Sequence, residues 1–356
     1  MYLHVPFCRH RCDYCAFAAW DDRSALTDRY MAALHRHVTD LVSTLDMPIS
    51  SVFVGGGTPS LVDPGDLTRV LGAIPLAEDA EVTVEVNPED ASVDLFSVYR
   101  DGGVNRISFG VQSTEPTVLE ALGRRHDPSK VAGSVAAARE AGIDNINLDV
   151  IYGAAGESVD QWQRTVGGIL SLEPDHISAY ALTVEAGTPL ATDSARHPDD
   201  DDQATKYLLA NEMITAAGMD WYEISNWSRP GRQCRHNKLY WNQGDYLGAG
   251  CSAHGHHGGR RWWNLRTPER YVTAIESGTS AEAGDEQLDE YQQLMEGLQL
   301  AIRTADGVPV AALERAVTAG EIDGLVDKAG DRYVLTVAGR LLANEVALRL
   351  EWPPEG

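Results

Sequence analysis

The sequence predicts an α/β fold: a partial (β/α)6 barrel followed by a small C-terminal helical domain with a winged β element. Three observations carry this expectation. Short β-rich segments alternate with helical patterns through the first two-thirds of the chain, the mark of repeated βα units and a parallel sheet. The unusual residues recur at one place in each unit, at or just after the end of a strand. Beyond Gly218 the rhythm breaks, and a different kind of structure begins.

Strands are expected at Tyr2–Val5, Ser51–Val54, Glu81–Val86, Arg106–Phe109, Ile146–Ile151 and His176–Leu182. The stretches between them read as helices. Asp28 to Leu45 places Tyr30, Ala33, Leu34, Val38, Leu41 and Val42 on one stripe, and Ser129 to Ala141 opens after Asp127–Pro128 and stops at Gly142. Six units fall short of eight, so an open or partial barrel is expected. After Gly218, five tryptophans (Trp221, Trp227, Trp241, Trp262, Trp263) and many glycines run irregularly to about Pro268. From Glu286 an amphipathic helix is expected, with Leu288, Tyr291, Leu294, Met295, Leu298 and Ile302 on its apolar face. Asp331 to Val337 reads as a strand and Arg340 to Leu350 as a closing helix. The chain thus divides into a barrel (1–220), an irregular Trp- and Gly-rich segment (221–285) and a wing-like helical domain (286–356).

Composition narrows the function classes. Hydrophobic residues at 43% and charged residues at 23% are ordinary for a globular protein. No run of about 18 apolar residues occurs, so no transmembrane helix is expected. Met1 to Cys8 lacks the basic start and apolar core of a signal peptide, and a cytoplasmic location is expected. The net charge of -24, from 29 basic and 53 acidic residues, repels a phosphate backbone, so nucleic acid is not an expected partner. The densest acidic block, Asp199 to Asp202, reads as a solvated loop. The five cysteines are an odd number and three of them fall within eight residues, which fits a metal site in a reducing compartment better than a disulfide scaffold.

In parallel α/β barrels the site forms at the C-terminal ends of the strands, from several strands at once. Here the cysteines follow the first strand and Gly55-Gly56-Gly57-Thr58-Pro59 the second. Glu85 and Asn87 end the third, Gln112 follows the fourth, Asp149 lies late in the fifth, and Thr183 follows the sixth. Six loops therefore point at one pocket. Cys8-x-x-x-Cys12-x-x-Cys15 can grip one metal centre from one side, and thiolates favour iron–sulfur or zinc over magnesium or calcium. Zinc would need a fourth ligand such as His10 or His4, and no second cysteine pair follows. Three ligands on a four-iron cluster would leave one iron open, the mark of a catalytic metal site.

The C-x3-C-x2-C motif, with Tyr14 before its last cysteine, resembles that of radical S-adenosylmethionine (SAM) enzymes. The Gly55–Pro59 run is similar to the family's glycine-rich motif, which receives the SAM amino group. The resemblance implies a [4Fe–4S] cluster on Cys8, Cys12 and Cys15, and SAM on its open iron. It extends to Tyr2–Cys8, Gly110–Ser113, Leu122–His126 and Asn147–Gly153, which resemble the oxygen-independent coproporphyrinogen oxidase group over nearly the whole chain. By that likeness Tyr2, Tyr14, Gly56, Gly57, Thr58, Glu85, Gln112, Arg124 and Asp149 would line the SAM site. The residue types suit the ligand, because a ribose needs acceptors and a carboxylate needs a guanidinium. Taken singly, Arg124 or Glu85 reads as a barrel-end ion pair.

Within that group the oxidases resemble C-x3-C-x2-C-x-C and carry an extension before the motif. Here Phe17 takes the fourth place and the first cysteine is residue 8. The segment Cys234-Arg235-His236-Asn237-Lys238-Leu239-Tyr240-Trp241, preceded by Tyr222–Asn226, instead resembles the H-N-x-x-Y-W motif of the group's heme chaperones. That likeness implies heme binding through His236, Tyr240 and Trp241, an acceptor hemoprotein, and an electron donor able to reduce the cluster. Histidine ligates heme iron, and Tyr and Trp offer apolar faces to a porphyrin. Without the family, His236 reads as a packed histidine bonded to its surroundings. An oxidase acting on propionate side chains and a heme-binding interaction protein with an inert cluster remain the alternatives. Cys251, where the family often has glycine, His254, His256 and His257 have no assigned role.

Overall fold

The computed structural model describes residues 1–43 and 45–351. Six parallel strands, β1 (Tyr2–Val5), β2 (Ile49–Gly56), β3 (Leu76–Val86), β4 (Arg106–Gln112), β5 (Asn145–Tyr152) and β6 (His176–Ala181), pair in sequence order. The sheet does not stop there. A hairpin of β7 (Asp220–Glu223) and β8 (Asn226–Ser228) adds antiparallel to β6, and β9 (Gly248–Ala249) adds parallel to β1. Nine strands result, and the short added strands cover both edges of the six-stranded core.

Period-two alternation sorts the side chains. Ile107, Phe109 and Val111 of β4, Ile146, Leu148 and Val150 of β5, and Ile177 and Ala179 of β6 belong to the main apolar core. The outer helices close over it. One is Thr27–Val42, which buries Tyr30, Met31, Leu34 and Val38; another is Val159–Leu170, which buries Trp162, Val166 and Ile169. The intervening positions are polar and face a cavity: Glu85 on β3, Ser108 on β4, Asn147 and Asp149 on β5, and Ser178 on β6. The barrel therefore carries its chemistry inside and its hydrophobic packing outside.

Several expected elements differ. Asp199 to Asp202 begins a helix, Asp200–Ala216, with Asp199 capping it through the Asp202 N–H at 2.9 Å. Carboxylates in a first turn suit the helix dipole, and Asp202 also pairs with buried Lys206 at 2.6 Å. Glu286 and Gln287, expected to open a helix, instead end strand β12 (Glu282–Gln287), and the helix spans Glu290–Ala301 with Leu288 outside it and Tyr291 63% exposed. β12 pairs with β11 (Arg260–Asn264), which pairs with β10 (His254–His257) in an antiparallel three-stranded sheet. The expected closing helix is two short ones, Val337–Leu341 and Ala343–Ala347. A second core joins Leu298 and Ile302 to Val308, Tyr333, Leu335 and Val346, under a small sheet whose central strand is Arg332–Leu335. Among the described residues no helix is long and apolar enough to cross a membrane.

Candidate functional site

The loop after β1 carries the three cysteines, all free thiols lining a cavity of about 450 Å³ at the C-terminal ends of the strands. Local hydrogen bonds shape it: the Cys8 N–H donates to Trp20 O at 3.0 Å and the Cys15 N–H to Cys12 O at 3.2 Å. The glycine-rich segment after β2 tucks beneath this loop, with the Gly57 N–H on Val5 O at 2.8 Å and the Thr58 N–H on Phe7 O at 2.7 Å. A side chain at Gly57 would meet Phe7 O at 2.6 Å, and one at Gly56, whose φ is +113°, would meet the His4 ring at 2.4 Å. Only glycine permits this approach.

Two donors point at sulfur. Thr58 Oγ1 lies 3.7 Å from Cys8 Sγ, and Arg124 Nη1 lies 3.6 Å from Cys12 Sγ. Burial pushes the Cys8 thiol up to about 11 and raises that of Cys15, so the free thiolates are disfavoured until a metal centre deprotonates them. Such donors are among the groups that tune an iron–sulfur cluster, and the set fits one. His4 is not a spare ligand, because Nδ1 faces Tyr2 OH at 3.0 Å and Nε2 faces Ala18 O at 2.8 Å.

Deeper in the cavity two carboxylates share a buried space. Glu85 accepts the Gly56 N–H at 3.2 Å, and burial followed by repulsion from Asp149 pushes its pKa up to about 8. Burial also raises Asp149, which accepts from Ser108 Oγ at 2.9 Å and Asn147 Nδ2 at 2.8 Å. A ligand bearing positive charge and hydroxyl groups relieves this strain twice over, since its charge favours the ionised acids and its hydroxyls find acceptors. Arg124 reaches Asn87 Oδ1 at 3.0 Å and Gly110 O at 2.6 Å, next to the cysteines. Gln112 ends β4 at φ +62° beside a register shift, a strained backbone position at the cavity wall.

The structure thus brings Cys8, Cys12, Tyr14, Cys15, Gly56, Gly57, Thr58, Glu85, Gln112, Arg124 and Asp149 to one cavity. Tyr2 lies elsewhere, lining a second cavity. Sequence reasoning missed Ser108, Asn147, Ser178 and Asn237, which also line the first. The signal was available for the strand residues: polar side chains at every second position of strands that are otherwise apolar.

Of the three motif residues, His236 and Tyr240 meet and Trp241 turns away. They sit on one short helix, Arg235–Trp241, whose first N–H groups are capped by the Glu81 carboxylate at 3.2 and 3.3 Å. His236 is buried and lines neither large cavity. Its Nδ1 faces Ser51 Oγ at 3.0 Å, its Nε2 faces Tyr240 OH at 2.9 Å, and its ring stacks on Phe53 at 5.6 Å. An iron ligand would have to give up one of those bonds. Tyr240 lines the second cavity, while Trp241 faces a small separate crevice.

A half-open parallel barrel with three cysteines after its first strand and a glycine cradle after its second defines the radical SAM class, and the radical SAM superfamily model matches residues 2–167. The fold agrees with that of coproporphyrinogen III oxidase (HemN) from Escherichia coli, at a TM-score of 0.85 and 21% identity over 98% of this chain and 88% of that one. Among curated relatives, heme chaperone HemW of Mycobacterium tuberculosis is 43% identical over 98% of this chain and 94% of its own length. HemW of Escherichia coli is 32% identical over 97% and 96%. The chain belongs to the HemW family of radical SAM proteins, a class that implies a [4Fe–4S] cluster and SAM.

Proposed function

We propose that the chain is a heme chaperone, which binds heme and passes it to an acceptor hemoprotein. The observation that carries this reading is end-to-end relatedness to HemW, 43% identical over 98% of the chain. Cys8, Cys12 and Cys15 would hold the cluster, and Gly56, Gly57, Thr58, Glu85 and Asp149 would hold SAM. Bound there, the cluster and SAM supply one-electron reductive chemistry, given an electron donor. The protein's own groups orient the ligand: Glu85 and Asp149 accept hydroxyl or ammonium hydrogens, and Arg124 offers a cation both to Cys12 sulfur and to a carboxylate.

Phe17 supports the chaperone over the decarboxylase reading. It stands where the oxidase pattern has a further cysteine, and it is 67% exposed between the two cavities. The deciding experiment loads the reconstituted protein with heme, mixes it with an apo-hemoprotein, and follows the acceptor's absorbance. Transfer without coproporphyrinogen decarboxylation under anaerobic reducing conditions is expected. Heme retention with no transfer to any acceptor would leave an interaction protein, and catalytic decarboxylation would make it an oxidase.

A further inference from the structure

Between the barrel edge and the β10–β12 sheet lies the second cavity, of about 1070 Å³, slightly above the range of roughly 300–1,000 Å³ usual for ligand pockets. The geometry points to this cavity as the seat of heme, with His256 on the iron and Arg266 and Arg270 on the propionates. The assignment rests on the heme-chaperone reading and gives it a location away from His236.

The cavity wall follows from strand register. His254 and His256 share one face of β10, opposite Trp263 and Arg261 of β11, and all four line the cavity. Tyr240 and Tyr246 line it as well. The aromatic surface of Tyr240, Tyr246 and Trp263 suits a flat macrocycle.

His256 is placed as a metal-binding imidazole is placed. It is only 7% exposed, and its Nδ1 lies 3.1 Å from the Gly244 carbonyl, which can only accept, so Nδ1 carries the proton. Asp245 Oδ1 lies 3.8 Å from the same Nδ1, while Nε2 is buried with no hydrogen-bond partner among the described residues and is the nitrogen left for a metal. A backbone carbonyl on the far nitrogen is the usual orienting contact of a histidine ligand. His4, also in the wall, has both nitrogens engaged.

Charge makes the second argument. In a chain of net charge -24, Arg260 and Arg261 on β11 are ion-paired, Arg260 with Glu282 and Asp285, Arg261 with Glu286 and Glu296. Arg266 and Arg270 also line the cavity, yet neither makes an ion pair or a side-chain hydrogen bond among the described residues. Two free guanidinium groups beside an aromatic cavity match a ligand with two carboxylates. Ala16 and Phe17, directly after Cys15, line both cavities, so heme here would lie across one loop from the cluster.

The test titrates hemin and metal-free protoporphyrin IX into the full chain, reading the Soret band and tryptophan quenching. His256→Ala is expected to lose hemin affinity by at least about tenfold, with a changed Soret position, while binding protoporphyrin IX as wild type does. Arg266→Glu with Arg270→Glu, both on the exposed surface, is expected to weaken both ligands and leave the melting curve unchanged. Wild-type hemin affinity in both variants would overturn the proposal while leaving heme binding intact. Loss of the Soret change in His254→Ala but not in His256→Ala would overturn the choice of ligand. A wild-type chain that binds neither porphyrin would instead sink the heme-chaperone reading itself.

Discussion

The two cavities share a wall at Ala16 and Phe17, yet opposite rules build them. The first is assembled from strand ends, each parallel strand giving one or two polar groups at a fixed height. The second is assembled from a sheet face, with His254, His256, Arg261 and Trp263 of one antiparallel sheet laid against the side of the barrel. Topology alone dictates where the first site must be. Nothing in topology dictates the second, which exists only once the sheet has packed. The difference implies functional independence, and the widest test of it is to destroy one site and measure the other.

Replacing Cys12 by Ala has the largest expected effect. It removes one of three thiolates and leaves Arg124 Nη1 without its sulfur partner at 3.6 Å, so iron and sulfide per chain are expected to fall to background after anaerobic reconstitution. Hemin affinity is expected to stay within about twofold of wild type, well under the 1.4 kcal/mol that a tenfold change represents. Joint loss of cluster and hemin binding would show that the two cavities act as one.

Within the first cavity, Glu85 gives a pH signature that the second lacks. Its folded pKa of about 8 stands above the ordinary value of 4.5, because burial and Asp149 both oppose its charge. Between those values the folded chain holds a proton that the unfolded chain has released. Its stability contribution therefore falls as pH rises from 4.5 to 8, by up to about 1.4 kcal/mol per pH unit. Glu85→Gln is expected to flatten that slope in urea melts between pH 5 and 8. Glu223, also pushed up to about 8 by burial, keeps its share. SAM binding at pH 7 is expected to expel the Glu85 proton, read by calorimetry as a buffer-dependent heat that Glu85→Gln abolishes. An unchanged slope in the variant would mean that Glu85 is ionised in the free cavity.

The same contrast governs what the sequence made legible. All six parallel strands could be read, because each is a β-rich run set off by helical patterns. The cysteines, the glycine run, Glu85, Gln112 and Asp149 could be placed because strand ends converge, whereas Arg124 came only from the family resemblance. Strand β12, Glu-Ala-Gly-Asp-Glu-Gln, could not be read: it has no apolar alternation, and its partner β11 holds it by Arg260 to Asp285 at 2.9 Å and Arg261 to Glu286 at 2.8 Å. Ion pairs across a ladder leave no mark in hydrophobic periodicity. β9 is two residues long and is defined only by its neighbour β1. The second cavity was hidden for the same reason, because its wall takes shape only once β10 and β11 are paired. The burial of His236 was equally illegible, because a histidine in a motif carries no record of what packs around it.

The smallest expected effects lie at that residue, on the helix that reaches both cavities, Asn237 lining the first and Tyr240 the second. Reading the motif alone, His236→Ala would keep a near-normal melting curve and lose most heme binding. The buried, hydrogen-bonded imidazole, taken with heme placed at His256, leads to different expected outcomes. Removing the imidazole strands Ser51 Oγ and Tyr240 OH, 3.0 and 2.9 Å from its nitrogens, and opens a hole against Phe53. Stability is therefore expected to drop by about 1–3 kcal/mol, the usual range for a buried polar group left without its partner. Hemin affinity is expected to fall only a few-fold, through loss of the bond that holds the Tyr240 ring in the cavity wall. Tyr240→Phe keeps the ring and deletes one hydrogen bond, so it is expected to cost about 0.5–1.5 kcal/mol and to change hemin affinity least of all. Denaturant melts and Soret titrations on the two variants check both numbers. A His236→Ala chain with an undiminished melt and no Soret change would return the iron to His236 and take it from the second cavity.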